Sequence, residues 1–186
     1  MVFGMLRPAL VTVLLVSAPC FGDDREQGPK RIPCKSPAAA LREGAFDLFI
    51  GPVKLRNGKD CLKALPESSR CEWNVELIRT EQWGTDGQLR LAVVRSEHDG
   101  PGAWDSVFVF ACERSLLRQV FSRRYEYGAD VSLGRNADMS ITSLVWEPAD
   151  AHCCPSRERR QHYVWNPNRK SFVLTTSSIT ARKSQQ

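Results

Sequence analysis

The chain has 186 residues, with 26 Lys and Arg against 21 Asp and Glu, a formal charge of +5, and seven cysteines. Its basic residues are interleaved with acids, as in Arg25-Glu26, Arg124-Tyr125-Glu126 and Arg157-Glu158, so the concentrated basic stripe of a nucleic-acid binder is missing. The length suits one domain with a single core, and past the N-terminal region no segment stays apolar over the roughly 20 residues that span a bilayer.

Met1 to Arg7 form a basic head, and Ala9 to Val16 an apolar run too short to cross a membrane. Ala18, Cys20 and Gly22 follow at signal-peptidase spacing before the acidic pair Asp23-Asp24. This is the layout of a secretory signal peptide over residues 1–22. An N-terminal core element and a lipoprotein acylated at Cys20 are the alternatives, the latter weakened by Pro19. Removing residues 1–22 takes away Arg7 and no acid, so the charge falls from +5 to +4. Residues 23–35, polar and Pro/Gly-containing, read as a flexible leader. Once Cys20 is cleaved off or acylated, six cysteines remain: Cys34, Cys61, Cys71, Cys112, Cys153 and Cys154. An even set in an exported chain predicts three disulfides. The easily closed Cys61–Cys71 loop is favoured, which leaves Cys34 and Cys112 to meet Cys153 and Cys154.

Ser36-Pro37 ahead of Ala38-Ala39-Ala40-Leu41-Arg42-Glu43 predicts a short helix. Ser36 can offer its side chain to the first free amides, Pro37 is tolerated in the first turn, and Gly44 stops the helix. Phe46–Ile50 and Val53–Leu55 read as short strands before an Asn57-Gly58 turn, and Cys61–Arg70 as a loop. Glu72–Ile78 alternates, with Trp73, Val75 and Leu77 on one face. After a Thr85-Asp86-Gly87 turn, Gln88–Arg95 is a candidate central strand, and Asp99 to Gly102 breaks the chain again. Ala103–Cys112, nearly continuous through Trp104, Val107, Phe108, Val109 and Phe110, predicts a strand buried on both faces. Leu116–Phe121 and Tyr125–Leu133 are weaker strands, whereas Met139–Glu147 alternates clearly. Gln161–Trp165, a turn at Asn166-Pro167-Asn168 and Ser171–Thr176 complete the series. Strands separated by turn signals every ~8–12 residues predict a mainly β, single-domain antiparallel meander over residues 36–180, closed as a sandwich, barrel or blade-like sheet. One short N-terminal helix and the disulfide staples complete it, and residues 181–186 form a disordered tail.

The most distinctive segment is Asp150-Ala151-His152-Cys153-Cys154-Pro155-Ser156. Neighbouring residues of an extended chain point to opposite sides, so Cys153 and Cys154 could bridge to two distant cysteines, with Pro155 stiffening the junction. The two sulfurs could instead bond each other, or His152, a thiolate and His162 could hold a metal, though no Cys-x-x-Cys or His-x-x-x-His accompanies them. Through Asp150, Cys153, Cys154, Pro155 and Ser156 the chain resembles bacterial secreted proteins and lipoproteins with an Asp-x-x-Cys-Cys-Pro-Ser/Thr signature, of the LppP/LprE-like lipoprotein type. The likeness extends over roughly residues 46–175. It takes in the Gly51–Gly58 opening hairpin, the Asp86-Gly87 turn, the Leu91-Ala92-Val93-Val94 strand, and the Tyr163, Trp165 and Phe172-Val173-Leu174 strands. It implies a secreted fold without implying an activity. The group's fuller Asp-x-Asp-Gly loop is reduced here to the single acid Asp86, too few oxygens for calcium.

No Gly-x-Ser-x-Gly, P-loop, dinucleotide or His-Glu-x-x-His motif is present, and no cofactor is implied. Glu97, His98 and Asp99, with Asp105 nearby, could form an acid/base group, although turn chemistry explains Asp99 equally well. Trp73, Trp83, Trp104, Trp146 and Trp165 could line a glycan-binding face or serve as core and cross-strand partners. The resulting expectation is a periplasmic or secreted, non-catalytic factor that binds an envelope macromolecule and not nucleic acid. A hydrolase of an envelope polymer and a redox or metal-handling protein using Cys153-Cys154 are the alternatives.

Overall fold

The computed structural model describes residues 26–28, 31–84, 87–98, 102–151 and 154–182. The expected signal peptide therefore lies outside the described residues, as do Asp86, Asp99, His152 and Cys153. In chain order the elements are β1 (Ile32–Pro33), α1 (Pro37–Arg42), β2 (Ala45–Leu48), β3 (Gly51–Lys54), β4 (Lys59–Leu62), β5 (Trp73–Trp83) and β6 (Leu89–His98). They continue with β7 (Ala103–Glu113), β8 (Leu116–Glu126), β9 (Ala129–Leu133), β10 (Asp138–Val145), β11 (Arg157–Asn166) and β12 (Ser171–Ala181). Every pairing is antiparallel. A six-stranded sheet runs β1-β8-β7-β6-β5-β4, a four-stranded sheet β12-β11-β10-β9, and β2-β3 form a separate hairpin. The mainly β, antiparallel, one-helix fold expected from the sequence is the one observed.

The apolar run of β7 explains the layering. Its side chains alternate between two cores. Phe108 and Phe110 join Ala92, Val94, Val75 and Leu77 in a cluster covered by Leu41 of α1 and by Phe46, Leu48 and Val53 of the β2–β3 hairpin. Val107 and Val109 join Leu89, Leu91 and Val93 against Val131, Met139, Ile141 and Tyr163 of the four-stranded sheet. The six-stranded sheet is thus the middle layer, with strands buried on both faces as their continuous hydrophobicity demands.

Two bulges let neighbouring strands serve both cores. In β5 the register slips past Ile78, so Val75 and Leu77 face the first core while Trp83 enters the second. In β8 Phe110 pairs Gln119 but Val109 pairs Phe121. The extra residue, Val120, turns Phe121 and Tyr125 toward the second core while Leu117 stays in the first. Each bulge reverses the inward parity of the residues after it.

Several local expectations change. Ser36 caps α1 with its backbone carbonyl, which accepts from Ala40 N–H at 3.2 Å, and makes no side-chain cap bond. The segment read as a loop from Cys61 begins inside β4, and Tyr125–Leu133 divides between β8 and β9. The chain turns that corner at Tyr127 and Gly128, both at positive φ (61° and 96°). Asn57 and Gly58, also at positive φ (53° and 81°), make the expected turn. Part of the expected leader is docked: Ile32 is buried and pairs Leu117. Gln119 meanwhile accepts from Gly28 N–H and donates to the Glu26 carbonyl at 3.0 Å.

Cys61–Cys71 is bonded as expected. Cys34, however, joins Cys112 across 78 residues, which overturns the pairing of both with Cys153 and Cys154. Adding β1 to the edge of β8 places Cys34 N–H on the Ser115 carbonyl at 3.0 Å, beside the end of β7, where the Cα atoms lie 5.9 Å apart. Cys154 is disulfide-bonded as well.

Because the two staples close loops of 78 and 10 residues, loop-closure entropy ranks them. Urea unfolding of Cys34→Ala/Cys112→Ala should show a loss about 2 kcal/mol larger than Cys61→Ala/Cys71→Ala. Equal losses would mean that chain entropy is not how these bridges act.

Candidate functional site

The antiparallel order brings several turns to one end of the molecule. Trp73 opens β5, His98 closes β6, Trp104 lies at the start of β7, and Arg124 near the end of β8. Phe49 projects from the β2–β3 turn. Trp73 and Trp104 share the parity of the first core, so the aromatic packing of that core continues outward here. Phe49 meets Trp73 edge-on at 5.5 Å and Trp104 at 5.3 Å, and the two indoles lie 5.2 Å apart. His98 packs edge-on against Trp73 at 4.9 Å, and the Arg124 guanidinium sits over the Phe49 ring at 4.5 Å. None of these aromatic side chains is fully buried: Phe49 is 38% exposed, and both indoles are half-buried. The five tryptophans do not share one face. Trp83 and Trp165 both pack on Phe172, and Trp146 packs on Tyr127 at 5.0 Å.

The Tyr127–Trp146 contact draws the double-cysteine segment to the same end, because Trp146 leads directly into it and Tyr127 N–H bonds the Ala103 carbonyl at 2.7 Å. Asp150 closes this loop at its base. One carboxylate oxygen accepts from Glu147 N–H at 2.8 Å and from Ser156 N–H at 2.9 Å. These backbone donors hold the Asp150 carboxyl below its ordinary range. Cys154 N–H bonds the Ala151 carbonyl at 2.9 Å, Pro155 is buried, and Arg157 bridges Glu147 at 2.7 Å. Four of the five signature residues can thus be placed: Asp150 and Ser156 fasten the loop, Pro155 packs beneath it, and Cys154 is exposed.

The proposed acid/base group does not assemble. Glu97 and His98 are consecutive strand residues and point to opposite faces, and Asp99 lies outside the described residues. Asp105 is fully buried in a two-pronged pair with Arg95 (2.8 and 3.1 Å) and accepts from Ala129 N–H at 2.8 Å. That pair raises the Arg95 pKa, chiefly through its hydrogen bond to Asp105. Asp105 therefore fastens the β8–β9 corner and is not available to a substrate.

One constellation had no signal in the sequence. Ser140 and His162, opposed on β10 and β11, share a hydrogen bond of 3.0 Å (Oγ to Nδ1), and His162 Nε2 lies 3.8 Å from Asp138. The trio sits on the outer face of the four-stranded sheet, since Met139 and Ile141 face inward. β10 is paired on both sides, so its amides are spent in the ladders and none is left to stabilise an oxyanion. The trio is a polar cross-strand contact. Among the described residues no group of three or more His, Cys, Asp or Glu gathers as for a metal, and no helix is long and apolar enough to cross a membrane.

No known family, curated protein or solved structure matches this chain.

The Asp150 clasp has a pH signature. Its carboxyl titrates lower in the folded chain than the ordinary 3.8, so its stabilising effect is complete well above that value and is lost as pH falls through the folded pKa. Asp150→Asn should lower the melting temperature at pH 7, and the gap to the parent should close on acidification below pH 3.8. A gap independent of pH would show that the charge is not what fastens the loop.

Proposed function

We propose that this chain is an exported, non-catalytic binding protein that presents one aromatic end to an envelope polymer. The observation that carries the reading is the half-exposed cluster of Phe49, Trp73 and Trp104, with His98 and Arg124 at its rim. Large rings that remain partly wet present an apolar face for the C–H surface of a sugar or an apolar peptide, with polar groups beside it to fix orientation. Two of the acids near this end are committed elsewhere: Asp105 to Arg95 and Asp150 to its loop. Two disulfides and the absence of a membrane-spanning helix among the described residues agree with export.

A redox role retains one supporting observation, since Cys154 is exposed and disulfide-bonded at this same end. Intact mass of the secreted product, alkylated at increasing reductant, separates the two readings. Thiols released together only at high reductant support the structural use of sulfur, and one pair released at low reductant while Cys34–Cys112 and Cys61–Cys71 hold supports redox chemistry. A product that keeps residues 1–22 and stays in the cell would remove the export reading.

Co-sedimentation with purified cell-wall polymer tests the binding role. Trp73→Ala and Trp104→Ala should each weaken retention about 30-fold, the effect of losing a binding hot spot of about 2 kcal/mol. Trp165→Ala, on the far core, should leave retention unchanged. No retention of the parent protein, or equal retention by all three variants, would overturn the assignment.

A further inference from the structure

The last strand is an edge of an unusual kind. β12 closes one side of the four-stranded sheet, so its outer row of backbone N–H and C=O groups has no strand partner among the described residues. From Val173 to Ala181 its side chains are exposed on both faces, including Val173, Leu174 and Ile179 at 37, 43 and 46%. Its sequence, Ser-Phe-Val-Leu-Thr-Thr-Ser-Ser-Ile-Thr-Ala, carries no charge and no proline. Edge strands ordinarily avoid pairing by charge, proline, shortness or cover. This one is 11 residues long and has none of these protections. Its single bulge, at Thr175, bonds inward to the His162 carbonyl of β11.

The surroundings indicate what would pair with it. Past Leu117, opposite the first residue of β1, β8 too has no strand partner on this side among the described residues. A cleft of about 430 Å³ lies between it and β12, lined by Gln119, Phe121, Arg123, Tyr163, Phe172 and Leu174. Phe121 forms its floor, 5.0 Å from Tyr163 and 6.0 Å from Phe172. Two exposed cations lie on the cleft's face of the seam: Arg123, over the Tyr163 ring at 5.9 Å, and Arg159 of β11, which shares the inward parity of Gln161 and Tyr163, whereas Arg160 points to the opposite face. Neither of the two is ion-paired with a described residue. Opposite Arg159, β12 places only Ile179, so this long cationic side chain can lean toward the edge. Glu158 is the one acid on β11.

We propose that β12 receives an extended acidic polypeptide strand of another protein, paired through the backbone along its open edge and anchored by Arg123 and Arg159. Main-chain pairing supplies the affinity in such strand addition, and side chains supply the choice of partner. A second copy of this chain is the poorer occupant, because it would bring a second Arg159 to the same seam. This surface is separate from the aromatic end, so neither proposal depends on the other.

The test uses the full, oxidised chain and fluorescein-labelled peptides of about ten residues, a usual strand length. One alternates Glu with Thr and Val, the second replaces each Glu with Lys, and the third keeps the acids but N-methylates alternate amides. Fluorescence anisotropy should show binding of the first, weakened at least about tenfold in the second and third. Arg123→Glu/Arg159→Glu should weaken the acidic peptide by a similar factor and improve the lysine peptide. The third peptide needs no protein variant, so the outcome stands even if the double variant folds poorly. No binding of the acidic peptide at about 1 mM would overturn the proposal. Equal binding of the N-methylated peptide would also overturn it, in favour of a general polyanion surface. A concentration-dependent dimer of the chain that excludes the peptide would assign the edge to a second copy instead.

Discussion

Burial of β7 on both faces is the constraint from which the rest of the structure follows. A strand that places Phe108 and Phe110 on one side and Val107 and Val109 on the other, all fully buried, cannot belong to a sheet with a wet face. Two covers are needed, and the chain builds them from different material: a small hairpin with one helical turn and a half on one side, and a second sheet on the other. Burial of this kind, at roughly 25 cal/mol per Å² of apolar surface, dominates folding. The short elements α1, β2 and β3 would not hold alone and are kept in place by the face they shield.

Covering a middle layer from both sides raises a problem of parity, which the bulges at Ile78 and Val120 solve. Without them β5 and β8 would serve a single core along their whole length, and Trp83, Phe121 and Tyr125 would point away from the four-stranded sheet. The same geometry fixes the β8–β9 corner. There a buried carboxylate, Asp105, receives the Arg95 guanidinium and the Ala129 amide, so its charge is compensated where water cannot reach it. The staples work at different scales: Cys34–Cys112 holds the N-terminal segment to the middle sheet, while Cys61–Cys71 tightens one local excursion.

The aromatic end follows from antiparallel order. Strands that reverse at each turn return their loops to the same two ends, so Trp73, His98, Trp104 and Tyr127, far apart in the chain, converge with Phe49 and with the loop fastened by Asp150. The opposite property shapes β12. Lying at an edge, with its side chains exposed on both faces beyond Phe172 and no described strand along its outer side, it keeps the pairing capacity that the inner strands have used.

Much of the fold could be read from local chemistry. The apolar run at 103–112, the alternation at 72–78 and 139–147, and the turn glycines identify strands because side-chain period and backbone freedom are properties of neighbouring residues. The short Cys61–Cys71 loop was readable for the same reason. What stayed hidden depends on distance. Nothing local says that Ile32 adds to β8 and so carries Cys34 to Cys112, or that Asp105 is spent on Arg95. Nor does it say that Ser140 faces His162, or that Phe49 completes a cluster with two tryptophans. The sequence by itself determined that this is an antiparallel β protein with a doubly buried central strand, since periodicity is local. Only the tertiary structure decided which cysteines meet, which aromatic residues stay wet and which edge stays open, because those depend on register and layer order, which bulges and long-range pairing set.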